Sequence, residues 1–280
     1  MAANRFQHQR FELKYLVTEE RALALRRFVS CHLKPDDFAA SLPNYSYPVH
    51  SLYLDSPQLT TYQAVQTGEK NRFKLRVRHY TANDAAVHFE IKRRTNEIIS
   101  KLRATVHRAS VQPLLAGRPP ALSDLVKPDG RQLGALQEFC RLMHTLRATP
   151  RSHVAYQREA WMSPIGNSLR ITFDRDVLCE PEFGAALDGQ FSQPMRVFDG
   201  QVVFELKFTD RLPSWCGEMI RLYNLVRGGA PKYAQGVLLL GEHRVSNHGV
   251  GLKIDATSAA ATPAPRARAT VASRAAVFAA

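Results

Sequence analysis

The sequence predicts an α+β protein: eight mostly antiparallel β-strands in a barrel-like sheet, with helices packed outside it. Three observations carry that prediction. Charged and apolar residues alternate along at least six stretches, a period that places each charged set on one face of a strand. Stretches of helical spacing lie between them. The charged faces are mostly basic, in a chain of 280 residues with net charge +13.

The first strand, about residues 9–17, sets Arg10, Glu12 and Lys14 against Phe11, Leu13 and Tyr15. Thr18 then caps a helix with Glu19 and Glu20 in its first turn and Leu23, Leu25, Phe28 and Val29 as its apolar stripe. Residues 48–55 read as a second strand, with Ser51, Tyr53 and Asp55 on one face. Residues 71–80 alternate Arg72, Lys74, Arg76 and Arg78 with Phe73, Leu75 and Val77, and residues 87–94 set Glu90 and Lys92 against Phe89 and Ile91. Thr95-Asn96 is a turn into a fifth strand, about residues 97–103. From 110 to 147 the spacing becomes helical (Leu133, Leu136, Phe139, Cys140, Met143), broken by Pro119-Pro120 and Pro128-Asp129-Gly130, and reads as a helical insert on the sheet. Strands resume at 152–162 (Tyr156, Arg158), 168–178 (Arg170, Thr172, Asp174) and 202–209 (Glu205, Lys207). Helices follow near Pro213 and from Lys232 to about Leu240.

Hydrophobic residues make up 45% of the chain and charged residues 22%, enough to bury a full core as one unit, residues 1–255. Residues 256–280 are rich in Ala, Pro and Arg and are expected to be a disordered tail. That tail carries only three arginines, so the folded body is itself basic and suits an anionic partner: phosphates, nucleic acid or an anionic surface. Cys31, Cys140, Cys179 and Cys216 form no CxxC pair, which points away from a zinc site or a disulfide framework. His50, His79, His88 and His107 show no ligand spacing and read as surface or packed residues; Trp161 and Trp215 read as core. Residues 1–10 lack the apolar core of a signal peptide and no run reaches membrane-spanning length, so a soluble cytoplasmic protein is expected. P-loop, GxGxxG, HExxH and nucleophile-elbow motifs are absent.

The basic faces admit two arrangements. They can look into water, as antiparallel strands ordinarily do. Alternatively they line an enclosed space, where they require counter-anions. Side chains on one strand face repeat every ~6.6 Å, an interval that suits successive groups of an extended polyphosphate. Six strands sharing the bias, with amphipathic helices to cover the apolar faces, favour the enclosed arrangement.

Seven short motifs, in order, resemble the VTC domain, the polyphosphate polymerase branch of the triphosphate tunnel metalloenzymes. They are R-F-E-L-K-Y (10–15), K-L-R-V-R (74–78), F-E-I-K (89–92), Y-Q-R (156–158), L-R-I-T-F-D (169–174), F-E-L-K (204–207) and P-K-Y-A-Q-G (231–236). The resemblance runs from about Arg5 to Leu240 and implies an eight-stranded antiparallel tunnel. It implies phosphate ligands at Lys14, Arg76, Arg78, Lys92, Lys101, Arg158 and Lys232, a phosphate-contacting hydroxyl at Tyr156, and Mn²⁺ or Mg²⁺ at Glu205. Strand period adds Lys74, Lys207, Arg170 and Asp174, while Glu12 and Glu90 read as ion-pair partners. Hydrolytic relatives open with E-x-E-x-K; here Arg10 replaces the first glutamate, costing a carboxylate and adding a phosphate grip.

The implied activity is transfer of the ATP γ-phosphate to a growing inorganic polyphosphate chain. Arg76, Arg78 and Arg158 would hold the oxygens, and Lys14 and Lys92 would neutralise the chain. ATP, phosphate and polyphosphate are the implied partners, without nucleic acid. The regulatory and membrane-spanning domains of the fungal polymerase are not visible. Two alternatives stay open: a metal-dependent triphosphatase acting on inorganic triphosphate or a nucleotide, and a non-catalytic module that binds polyphosphate or nucleic acid. Against base stacking, Phe73, Phe89, Phe173 and Phe204 fall on apolar strand faces.

Overall fold

The computed structural model describes residues 10–96, 98–164, 168–185 and 187–246, with the backbone alone at Arg10 and at 269–270. The alternating stretches form eight long strands. They are β1 Arg10–Val17, β2 Ser46–Asp55, β3 Asn71–His79, β4 Ala86–Thr95, β5 Ile98–His107, β6 Thr149–Met162, β7 Leu169–Pro181 and β8 Val202–Thr209. They hydrogen-bond in the order β1-β8-β7-β6-β2-β3-β4-β5, every neighbouring pair antiparallel. Two meanders, β2 to β5 and β6 to β8, thus join edge to edge at β2 and β6, and β1 is added beside β8.

The ends of this path, β1 and β5, share no ladder among the described residues, which corrects the closed barrel expected from the sequence. The sheet instead curls until long side chains bridge its seam. Lys92 Nζ on β4 donates to both carboxylate oxygens of Glu12 on β1, at 3.1 and 3.0 Å. A lysine stem spans a gap that backbone hydrogen bonds, which need strands ~4.8 Å apart, do not.

Helices cover the outer, apolar strand faces. Thr18 caps α1 (Glu19–Ser30) by accepting from Arg21 N at 3.3 Å. This helix packs Leu25 and Val29 with Tyr15, Phe173 and Phe204, and α5 (Ser214–Leu222) adds Cys216 and Met219. Between them in the chain come α2 (Thr60–Gln66), α3 (Val111–Leu115) and α4 (Gly130–Leu146), and α4 sets Leu136, Phe139 and Met143 on Leu75, Val77, Phe89 and Ile91. After α5, α6 (Lys232–Leu240) departs from the expected outside packing: it lays Tyr233 and Val237 against Val154 and Cys179, which share the inward face of Ser51 and Tyr53, and α7 (Glu242–Val245) follows. Trp161 is buried, whereas Trp215 is half-buried and stacks on His32 at 4.3 Å. With the apolar faces spent outside, the charged faces turn inward. This decides between the two arrangements the sequence allowed.

Helix α2 was not expected from its sequence, TTYQAVQ, which carries no helical stripe. Buried Asp55 organises it: one carboxylate accepts from Ser56 N, Thr61 N, Thr61 Oγ1, Tyr62 N and Tyr233 Oη, all within 3.0 Å. No described helix is long and apolar enough to cross a membrane. The expected tail falls almost wholly outside the described residues; of it, Ala269 and Thr270 pair antiparallel with Phe191 and Gln190.

Candidate active site

The inward faces line a cavity of about 210 Å³. Of the sequence-predicted site residues, Lys14, Lys74, Arg76, Arg78, Lys92, Tyr156, Arg158, Glu205, Lys207 and Lys232 meet there. Strand register explains the convergence. Ser51 and Tyr53 of β2 lie opposite Arg78 and Arg76 of β3, Arg76 lies opposite Glu90 of β4, and Lys14 of β1 lies opposite Glu205 of β8.

Three carboxylate centres hold the cations in place. Glu90, fully buried, accepts from Arg76 Nε at 2.8 Å and Arg103 Nε at 2.6 Å, with Lys101 Nζ at 3.3 Å and Arg78 at 3.9 Å. Burial alone would raise its pKa, but these four cations hold it far below the carboxylate range. Asp174, also fully buried, takes both forks of Arg158 at 2.7 Å and Lys232 Nζ at 2.7 Å. Glu205 stands 3.5 Å from Lys14 and 3.1 Å from Lys207, and Lys14 also pairs with Glu12. Burial opposes the charge of Glu205, yet Lys14, Lys207 and Lys92 hold it well below the ordinary value. Arg78 Nη2 donates to Tyr156 Oη and to Ser51 Oγ, each at 3.2 Å, and Arg76 Nη1 donates to Tyr53 Oη at 3.2 Å.

Positive charge remains in excess. Burial foremost, with Lys92, Lys14 and Arg72 adding to it, brings Lys74 down to about 8. Lys92 is likewise brought down to about 8, by burial and then by Lys14. The Tyr53 hydroxyl, which burial would push up, is drawn to about 8 by Arg76, Lys74 and Arg78. Lys14, beside Glu205 and Glu12, is raised instead, but a cavity that depresses Lys74 and Lys92 and acidifies a phenol is built to receive an anion.

The donor set also fits a divalent cation. Glu12 and Glu205 face the cavity together around Lys14. Directly across from Glu205 lies Thr172, whose buried hydroxyl has no hydrogen-bond partner among the described residues. One or two carboxylates suffice for Mg²⁺ where phosphates and waters complete its shell.

Three predicted residues sit elsewhere. Lys101 lies outside the lining, paired with Glu90. Arg170 pairs with Asp36 at 2.7 Å and donates to Tyr47 Oη at 3.2 Å. Arg10 pairs its backbone with Thr209, and its side chain lies outside the described residues. The lining also includes Arg72 and Arg94, which share the period of the site residues on β3 and β4, and Tyr53, from a strand with no Lys or Arg to mark its inward face. Phe73 reaches the lining as well as the core beneath α4, whereas Phe89, Phe173 and Phe204 are buried. One reading is corrected outright: His50 and His79 are not isolated, but cluster with His153.

The sequence matches the VTC domain over residues 9–241. The chain belongs to that family. No curated protein matches it. Among solved structures, PH1819 protein from Pyrococcus horikoshii OT3 is similar at 12% identity and TM-score 0.41, over 82% of this chain and 98% of that one. The Mediator head module of Schizosaccharomyces pombe gives 8%, TM-score 0.36 and coverages of 77% and 91%. The Mimivirus capping enzyme triphosphatase gives 9%, TM-score 0.33 and coverages of 77% and 89%. Likeness at these TM-scores carries no argument about activity.

Proposed function

We propose that this VTC domain is a polyphosphate polymerase, which moves the γ-phosphoryl group of ATP onto the end of an inorganic polyphosphate chain in a tunnel formed by the curled sheet. The observation that carries the proposal is the inward face itself: cations from most of the strands and from α6 converge on one cavity with two carboxylates beside them. A terminal oxygen of the chain attacks the γ-phosphorus, the bond from γ-phosphorus to the bridging oxygen breaks, and ADP leaves. The attacking oxygen is already ionised near neutral pH, so no general base is needed.

Such a transfer needs alignment and neutralisation more than covalent help. Arg76, oriented by Glu90, and Arg158, oriented by Asp174, turn to the transferred group the guanidinium N–H groups those carboxylates leave over. Arg78 and Tyr156 form a second contact pair beside them. Lys14, Lys74, Lys92, Lys207 and Lys232 neutralise the rest of the chain. A divalent cation held by Glu205, with Glu12 and Thr172 near it, would supply Lewis-acid polarisation of phosphate oxygens. The paired carboxylates, Glu12 with Glu205, also favour a second reading: hydrolysis of a triphosphate at the same site, with water as acceptor.

Purified protein incubated with ATP and Mn²⁺ distinguishes the two. A ladder of polyphosphate on a stained gel, absent with Glu205→Ala, is the expected result. Free phosphate without a ladder would move the assignment to a triphosphatase. Polyphosphate binding without ATP turnover would leave a reader that lacks the chemistry.

A further inference from the structure

On the opposite face of the sheet lies a second chemical centre. His50 of β2 and His79 of β3 are direct cross-strand partners, and His153 of β6 lies across from Leu52, two pairs along and on the same face. Arg78, next to His79, lines the cavity, and Ser51, next to His50, pairs with it on that side, so strand alternation turns the imidazoles away from the cavity. All three are buried, and one ligand nitrogen from each lies within 4.8 Å of the others. We infer that His50, His79 and His153 form a site for a borderline divalent transition ion, Zn²⁺ above all, separate from the hard-cation position at Glu205.

The contacts fit ligation. His79 Nδ1 lies 3.2 Å from the Thr81 carbonyl oxygen, which only accepts; Nδ1 therefore carries the hydrogen and Nε2 keeps its lone pair. A backbone carbonyl behind the ligating ring is how metal-bound histidines are commonly oriented. His50 Nδ1 and His153 Nε2 stand 3.1 Å apart and share one hydrogen. On metal binding, that hydrogen moves to the other nitrogen of the same ring. Tetrahedral coordination at ~2.0–2.1 Å places ligand nitrogens ~3.3 Å apart, so the widest pair closes by about 1.5 Å through ring rotation.

Burial opposes positive charge at the cluster, and two nearby carboxylates offset part of that cost. Burial, with the neighbouring imidazole, keeps His50 at about 4 and its ring neutral, the form that ligates. Asp84 and Asp188 act on both His50 and His79, while Arg108 opposes them at His79. Arg108 is occupied with the carbonyls of Asp84, Leu187 and Thr81. Phe191, itself buried, stacks on His153 at 4.3 Å. All-imidazole ligation suits Zn²⁺, Cu²⁺ or Ni²⁺ rather than Mg²⁺. An ion there would pin the β2–β6 joint between the two meanders.

The test uses untagged full-length protein stripped with chelator. Expected results are one Zn²⁺ per chain against a competing chromophoric chelator, and a nitrogen-ligated tetrahedral absorption spectrum with Co²⁺. Both should survive Glu205→Gln, and His79→Gln should weaken binding by more than about 100-fold, since losing even an outer-sphere partner costs up to that. A wild-type cobalt spectrum of the hydrated octahedral ion would overturn the inference whether or not the variant folds. So would His79→Gln protein binding Zn²⁺ as tightly as wild type.

Discussion

Arg76 and Glu90 touch each other, and exchanging either one has opposite consequences. Arg76 presents its guanidinium to the cavity while Glu90 lies fully buried behind it. In Arg76→Ala, Glu90 keeps Arg103, Lys101 and Arg78 as partners. Turnover is therefore expected to fall about 100-fold or more, the cost of one preorganised donor at a transferred group. Urea unfolding should shift by no more than about 1 kcal/mol, as for a lost ion pair whose carboxylate stays satisfied. Glu90→Gln instead leaves four cations without their shared carboxylate and should cost about 3–5 kcal/mol in the same unfolding experiment. If Arg76→Ala unfolds readily yet retains its turnover per folded molecule, the role given to Arg76 is wrong.

At the scale of elements, Asp55 links a helix to the site. Its carboxylate organises the start of α2 and accepts from Tyr233 on α6, whose ring stacks on Tyr53 at 4.8 Å. Tyr53 in turn accepts from Arg76. Asp55→Ala strands several buried donors at once and is expected to cost about 3 kcal/mol or more. Loss of protection in amide exchange should appear first across residues 59–66. Uniform loss over the sheet would show that Asp55 holds no local unit. This helix also marks what the sequence could not convey. Its stability comes from one tertiary carboxylate, so no periodicity announces it, whereas the strands announce themselves because each buries one face against helices. The cavity was legible for the same reason: Arg76, Arg78 and their neighbours share a period that survives any choice of partner strand. Closure of the seam and the union of His50, His79 and His153 depend on registers between distant strands, which alternation within one strand does not encode.

At the scale of the whole molecule, the fold confines positive charge against its own electrostatics, and pH exposes the cost. Lys74 and Lys92 are held at about 8, burial foremost and neighbouring cations next, against ~10.4 in an unfolded chain. Between those values the unfolded chain binds more protons than the folded one. The contribution of these lysines to ligand-free stability therefore rises with pH from about 8 to 10.4. Anion binding has the opposite slope. A polyphosphate chain favours the charged ammonium, so above pH 8 its binding must draw protons from solution, and affinity should drop as pH rises through 8 and 9. Calorimetry at pH 8.5 in two buffers of different ionisation enthalpy measures that uptake directly. Net proton uptake is expected, and Lys74→Met should reduce it while weakening affinity most strongly below pH 8, where the wild-type ammonium is already formed. Zero uptake, together with an affinity flat from pH 7 to 9, would mean that the lysines are charged before the chain arrives. The cavity would then hold its cations by carboxylates alone.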